Sequence, residues 1–340
     1  MKFKTDEQKL AEAEFFAKKY YLSYSALSKL LSSPTVFYTN YVLNQKEDIK
    51  GVYLDLGKAI HCLLLDREQF ENQFIVASSN IPTGNTQIVV DRVFTIHKEL
   101  TTGTDDFSSR DLGHYGDEIL DYLKEINLHQ SLKTDPQRIE KIISPQSIEY
   151  FDYLKVAEGK TIIDNDTFEL CLQAVEAINE NEAVTKLLGL EQVNAEESIY
   201  NEYPLQAEPS VHPFGYKGIL DNLRIVPLEK TIYINDVKRT GKSLVYFEES
   251  VEKYNYWAQA AMYIKLVKAN IPEANNIDWK IVFNFIVVDN FNQVYPFEVS
   301  ALTLAQWGVD LELKLKEVEY HFKSNDFTLP FKFATGKVTL

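Results

Sequence analysis

The sequence predicts an α/β chain of mixed type, a central mixed β-sheet flanked by helices and preceded by a helical N-terminal half. Two patterns carry that prediction. As far as Leu190 most apolar residues recur at helical spacing, whereas from Glu196 onward short apolar runs bounded by turn residues dominate. A third observation is that 45% of the 340 residues are hydrophobic, enough to fill a substantial core.

Taken in order, Asp6 to Lys19 carries Leu10, Ala13, Phe16 and Ala17 near helical spacing, and Ser23-Tyr24-Ser25 supplies cap residues for a helix through Leu31. Ser33-Pro34 breaks it. The aromatic run from Thr35 to Leu43 is too short for its period to decide between helix and strand, and its context favours helix. Asp55 to Leu65 reads as a helix with an apolar face that contains His61, and Phe74 to Val76 reads as a strand. Between Ser78 and Gly116 the composition shifts to Ser, Thr, Gly, Asn and Asp, with turn clusters at Pro82 to Asn85 and Thr101 to Asp106, so this stretch is expected to be loop-rich. Helices are expected over Asp117 to Leu128, Pro145 to Val156 and Asp166 to Leu190. Strands follow at Ser198 to Tyr203, Tyr216 to Ile225, Thr231 to Lys238, Trp279 to Val288 and Val294 to Val299, with long helices at Val245 to Ala269 and Leu302 to Ser324. With no fixed-period repeat and no separating linker, 1–340 reads as a single domain with a loop-rich and helical insertion at 78–160.

Charge and cysteine content exclude several classes. Thirty-five basic against 50 acidic residues give a net charge of −15, which argues against a broad basic coat for nucleic acid and leaves only a local contact. Cys62 and Cys171 are far apart and form no CxxC pair, so they read as buried thiols rather than a disulfide scaffold or a thiolate metal site. The N-terminus lacks the apolar core of a signal peptide, and no apolar run approaches the ~20 residues of a membrane span. A cytoplasmic protein with no membrane contact is expected.

The chemistry concentrates between Gly215 and Tyr263. Asp221 ends one apolar run, and Asp236-Val237-Lys238 ends the next. On a strand alternate side chains share a face, so Asp236 and Lys238 point the same way and Val237 points into the sheet. Two nearby carboxylates repel unless a cation neutralises them, and magnesium does so while keeping waters for reaction. A lysine beside them can orient or deprotonate a water, or offset charge that builds on a phosphate. An acid ending one strand and an acid and lysine on its neighbour is thus an arrangement that holds a divalent cation beside a scissile phosphate. The tripeptide alone decides nothing: Asp48-Ile49-Lys50, Glu158-Gly159-Lys160 and Glu312-Leu313-Lys314 share it and read as surface charge. Thr240-Gly241-Lys242-Ser243 resembles the end of a phosphate-binding loop, but Asp236 stands where that loop requires a glycine.

Taken together these residues resemble the PD-(D/E)xK nuclease superfamily, in its RecB-like and lambda-exonuclease-like group, nearest to the RecE-type exonuclease domain of phage proteins. Leu22-Ser23-Tyr24-Ser25-Ala26-Leu27 with Ser33-Pro34 looks like the family's N-terminal serine motif, and Gly57 to Leu65 like its G-x-x-x-H-x-L-L helix. Asp221 and Asp236-Val237-Lys238 look like the central acids and lysine, and Tyr256 to Tyr263 like the Y-x-x-Q-x-x-x-Y helix. The resemblance spans most of residues 20–300 and implies a restriction-endonuclease-like core. It further implies that His61, Asp221, Asp236 and Val237 hold Mg²⁺, with Mn²⁺ as a substitute. Asp221, Asp236, Lys238, Gln259 and Tyr263 would serve catalysis, and Ser23, Ser25 and Tyr256 would contact substrate. Glu197 is the candidate for the family's earlier acid, with Glu202 as the alternative. Relatives commonly place a Thr directly after the lysine, where this chain has Arg239 before Thr240.

The activity implied is Mg²⁺-dependent hydrolysis of DNA phosphodiester bonds by a 5′-to-3′ double-strand exonuclease in phage-type recombination or repair. A single-strand annealing protein as partner and a homo-oligomer are implied as well. A structure-specific endonuclease with the same core and a catalytically idle DNA-binding scaffold are the alternatives. Plainer roles also exist for the same residues. His61 can be a hydrogen-bonded core histidine, the serines helix caps, Glu197 a solvated edge charge, and Tyr256, Gln259 and Tyr263 a cover for the sheet.

Overall fold

The computed structural model describes residues 6–45, 52–101, 109–190, 195–334 and 336. The Asp48 to Lys50 tripeptide, most of the Thr101 to Asp106 turn cluster and the first five residues lie outside that set. Along the chain run α1 (Asp6–Ala17), β1 (Tyr21–Leu22), α2 (Tyr24–Ser32) and α3 (Pro34–Phe37), which a π-helical turn (Tyr38–Val42) continues. Next come α4 (Val52–Leu65), α5 (Phe70–Gln73), β2 (Phe74–Val76), α6 (Asn85–Thr101), α7 (Gly116–Glu125), α8 (Asp135–Glu140), α9 (Pro145–Ala157) and β3 (Thr161–Ile163). The remainder is α10 (Asn165–Asn179), α11 (Glu182–Leu188), β4 (Ser198–Ala207), β5 (Gly215–Val226), β6 (Thr231–Arg239), α12 (Phe247–Lys253), α13 (Tyr256–Asn270), β7 (Lys280–Val288), β8 (Val294–Val299), α14 (Ala301–Ser324) and α15 (Phe331–Ala334). The fold is α/β, with a mixed sheet and flanking helices as the sequence predicts. Among the described residues no helix is long and apolar enough to cross a membrane.

Two compact units emerge from the contacts, Met1–Arg67 with Leu170–Leu340, and Glu68–Glu169. The expected insertion at 78–160 falls inside the second. That unit packs α6, α7 and α9 around Val89, Val93, Leu112, Tyr115 and Phe151, all buried, and pairs β2 with β3 in parallel. The loop-rich expectation for Ser78 to Gly116 is corrected here, because 85–101 is helical. Val89, Val90, Val93 and His97 form its buried stripe, which the surrounding Thr, Asn and Gln dilute in the sequence.

In the first unit the sheet runs β1-β5-β6-β7-β8, with β4 also pairing β5. β5 is antiparallel to β4 and β6, β6 is parallel to β7, and β7 is antiparallel to β8. Leu220, Leu223, Ile232, Ile234, Phe283 and Phe285 carry the sheet's share of the core, against Leu27 and Leu30 of α2, Leu266 of α13 and Leu315 of α14. Two expected long helices are each broken. Asp166 to Leu190 divides at Asn181, whose side chain accepts the Val184 N–H at 3.2 Å and starts α11. Val245 to Ala269 divides at Asn255, whose φ of 57° is left-handed and incompatible with a continuing helix.

Register creates two features on opposite faces of the sheet. Asn201, Asn222, Asn235 and Asn284 lie in one row across β4 to β7. Their amides are linked at 2.8, 2.7 and 2.9 Å. The last turn of α11 leaves carbonyls without helical partners. Those of Leu188 and Leu187 accept from Asn222 and Asn235 at 3.0 and 2.9 Å, and that of Lys186, which also takes the N–H of Gly189 at 3.3 Å, accepts from Arg224 at 2.6 Å. The second feature is a fork. β1 pairs with β5 at Gly215 and Tyr216, β6 pairs with it only from Asn222 on, and along residues 217–221 β5 has a strand on one edge alone.

Candidate metal centre

The fork leaves Val237 without its β5 partner, and two side chains take that partner's place. Asp221 Oδ2 accepts the Val237 N–H at 2.7 Å, and His61 Nε2, brought in by α4, lies 2.9 Å from the Val237 carbonyl oxygen. A carbonyl only accepts, so Nε2 carries the proton and Nδ1 faces the acids. It lies 3.6 Å from both Asp221 Oδ1 and Glu202 Oε1. One ligand atom from each of His61, Glu202 and Asp221 falls within 4.8 Å of the other two, a group among the described residues with room to hold a metal ion.

Glu202 reaches this group through an unusual backbone. Its neighbours pair regularly, Asn201 with Asn222 and Tyr203 with Leu220, so Glu202 stands directly across from Asp221. Yet its φ is 46°, left-handed within a strand. A non-glycine residue in such a conformation costs roughly 1–3 kcal/mol, a strain found preferentially at functional sites. Glu202 Oε1 is buried and accepts no hydrogen bond. Two carboxylates and an imidazole with an orphaned buried oxygen form a donor set suited to a divalent cation. Burial disfavours a charged His61, but Asp221 and Glu202 outweigh it and push its pKa up to about 9. The cluster thus already attracts positive charge.

Asp236 sits across the fork from Asp221 and is fully buried. It is not one of the three converging ligands. Oδ1 accepts from Gln259 Nε2 at 2.9 Å, and Oδ2 forms an ion pair with Lys238 Nζ. Burial, with a smaller push from Asp221, raises its pKa to about 6 against the opposing pull of Lys238. For Lys238 burial lowers the pKa, but Asp236 and Asp221 prevail and raise it, so the side chain is an ammonium at neutral pH. It also stands 5.0 Å above the Tyr256 ring.

The helix α13 fixes this pair from behind. Gln259 Nε2 also donates to Tyr263 Oη at 3.0 Å, and Tyr263 donates to the Ile219 carbonyl of the fork's open edge at 2.7 Å. Burial raises the Tyr263 pKa well above its ordinary value and keeps it a neutral donor. Gly218 makes room for this ring, because a Cβ there would stand 2.9 Å from Tyr263 Cε1.

The remaining expected residues are placed as follows. Ser23 caps α2, accepting from the Ala26 N–H at 3.3 Å, and its Oγ is 3.1 Å from that of Ser25. These contacts stay within the helix and do not reach the acids. Val237 offers its carbonyl, already engaged by His61. Glu197, the first choice for an earlier acid, is held by Arg224 through Nε at 2.8 Å and Nη2 at 2.6 Å. Glu202 is the acid that reaches the cluster. Of the surface tripeptides, Glu312 binds Lys265 at 2.6 Å and Lys314 binds Glu317 at 2.7 Å.

No family model and no curated protein matches this chain. Among solved structures, that of a proposed exonuclease from Eubacterium rectale is similar over 96% of this chain and 88% of its own, at 13% identity and a TM-score of 0.46. That of SSO0001 is similar over 73% of this chain and 98% of its own, at 10% identity and a TM-score of 0.24. Likenesses this slight leave the activity to be argued from the site.

Proposed function

We propose that this chain is a Mg²⁺-dependent deoxyribonuclease of the PD-(D/E)xK type, a 5′-to-3′ exonuclease that resects linear duplex DNA. The observation that carries the reading is the convergence of His61, Glu202 and Asp221 beside the buried Asp236–Lys238 pair. When bound, Mg²⁺, or Mn²⁺ in its place, would polarise the phosphate and acidify a water. The chain's own groups do the rest. Lys238, held as an ammonium by Asp236, offsets the negative charge that builds on the phosphate, a role favoured over that of a general base by its raised pKa. Gln259 and Tyr263 position Asp236 and hence the lysine. The rest of the reading, by resemblance, is a cytoplasmic homo-oligomer working with a single-strand annealing protein in phage-type recombination.

Digestion of end-labelled linear duplex beside a covalently closed circle, with Mg²⁺ or EDTA, tests this with wild type and Asp236→Ala. Loss of the linear substrate alone, abolished by EDTA and by the substitution, is expected, and the label gives the polarity. Cutting of the circle would replace the exonuclease with an endonuclease. An inert wild type would leave a DNA-binding scaffold.

A further inference from the structure

Beyond the end of β6 the chain opens a cleft of about 430 Å³, within the roughly 300–1,000 Å³ of small-ligand sites. Lys238, Arg239, Lys242 and Lys253 line it, and none of the residues lining it is acidic. In a chain of net charge −15 this is a local reversal of sign. Its floor is aromatic. Lys238 lies 5.0 Å above Tyr256, the Tyr256 and Tyr254 rings are 5.6 Å apart, and Lys253 lies 5.2 Å above Tyr254. Cations and rings therefore follow one another from the candidate site outward to Tyr254, whose side chain is exposed. The Tyr24 hydroxyl donates to the Tyr254 carbonyl and fixes the backbone there. Lys242 is engaged by Glu249 at 2.8 Å, an exposed pair weak enough for a phosphate to displace.

From this arrangement we infer that the cleft is a nucleotide subsite for single-stranded nucleic acid, holding the residue next to the scissile phosphate. Its phosphate lies between Lys242 and Lys253, and its base stacks on Tyr254. Alternating positive charge and aromatic faces is how single strands are bound without sequence readout, and a ring can take a base only when that base is free of the duplex stack. The inference rests on the nuclease reading for its direction but not for its test.

The test is fluorescence anisotropy of a labelled oligothymidylate with full-length protein in EDTA, where no cleavage intervenes. Tyr254→Ala is expected to weaken binding about tenfold, the loss of one stacked base. Lys242→Ala with Lys253→Ala is expected to flatten the dependence of log affinity on log salt by about 0.7 for each phosphate contact removed. All three positions are at the surface, so melting curves should match wild type. Affinity and salt slope unchanged in these variants would overturn the subsite, as would oligoglutamate competing as well as the oligothymidylate, or wild type failing to bind the probe. Binding through the cleft by a protein that cleaves nothing would keep this inference and sink the nuclease. Cleavage with no contribution from the cleft would do the reverse.

Discussion

At Glu202 a left-handed backbone holds a carboxylate against Asp221 and His61, and no hydrogen bond to that oxygen compensates the strain. Glu202 and Glu197, the residue just before β4, therefore make opposite predictions. Glu202→Gln removes a charge from the cluster and should weaken Mn²⁺ binding, followed by titration calorimetry, at least about tenfold, or ~1.4 kcal/mol. Glu197→Gln breaks a buried pair with Arg224 and should cost about 3–5 kcal/mol in urea unfolding while leaving Mn²⁺ affinity alone. If the metal effects came out the other way round, the choice of Glu202 would be wrong. At Lys238 the prediction concerns turnover. Lys238→Ala should lower kcat by about 10²–10³, the loss of one donor to a developing oxyanion, with metal affinity retained. A variant changed only in KM would contradict that role.

The fork between β5 and β6 is the element that builds the site, and much of it was legible in the sequence. The apolar run predicts the strand carrying Asp236 and Lys238 at Thr231 to Lys238, and it ends one residue later. The alternation that puts those two side chains on one face followed from strand geometry alone. What was not legible depends on register and on helix breaks. Glu197, one residue before β4, and Glu202 are five residues apart, so they face opposite sides of the sheet. Which one meets Asp221 depends on how the hairpin through residues 208–214 closes, and nothing local in the sequence reports that. The break at Asn255 was hidden because apolar positions continue through it. The Gly218 contact was likewise invisible, since a glycine's absent side chain matters only once Tyr263 is known to lie on it. Gly218→Ala should displace that ring and cost roughly 1–3 kcal/mol, read from the urea midpoint. Wild-type stability in this variant would mean that α13 yields freely and does not fix the position of Gln259.

For the molecule as a whole, a cation that binds only the folded chain adds to its stability. At one hundred times its dissociation constant, Mn²⁺ should raise the unfolding free energy by about 2.7 kcal/mol in wild type, and Glu202→Gln at the same concentration, with its affinity tenfold weaker, should lose about half of that gain. Equal stabilisation of both would place the metal elsewhere. The asparagine row has a consequence of another kind, for how the chain finds its structure. Asn222, Asn235 and Asn284 are buried, and segments separated by the whole of α12 and α13 must meet before their amides are satisfied. A one-residue slip of any of these strands strands an amide in apolar surroundings, at about 1–3 kcal/mol for each group left unpaired. Misaligned sheets are thereby rejected during folding. Because Glu202, Asp221 and Asp236 occupy the very next row, a chain that passes this proofreading has already aligned its carboxylates before any cation arrives.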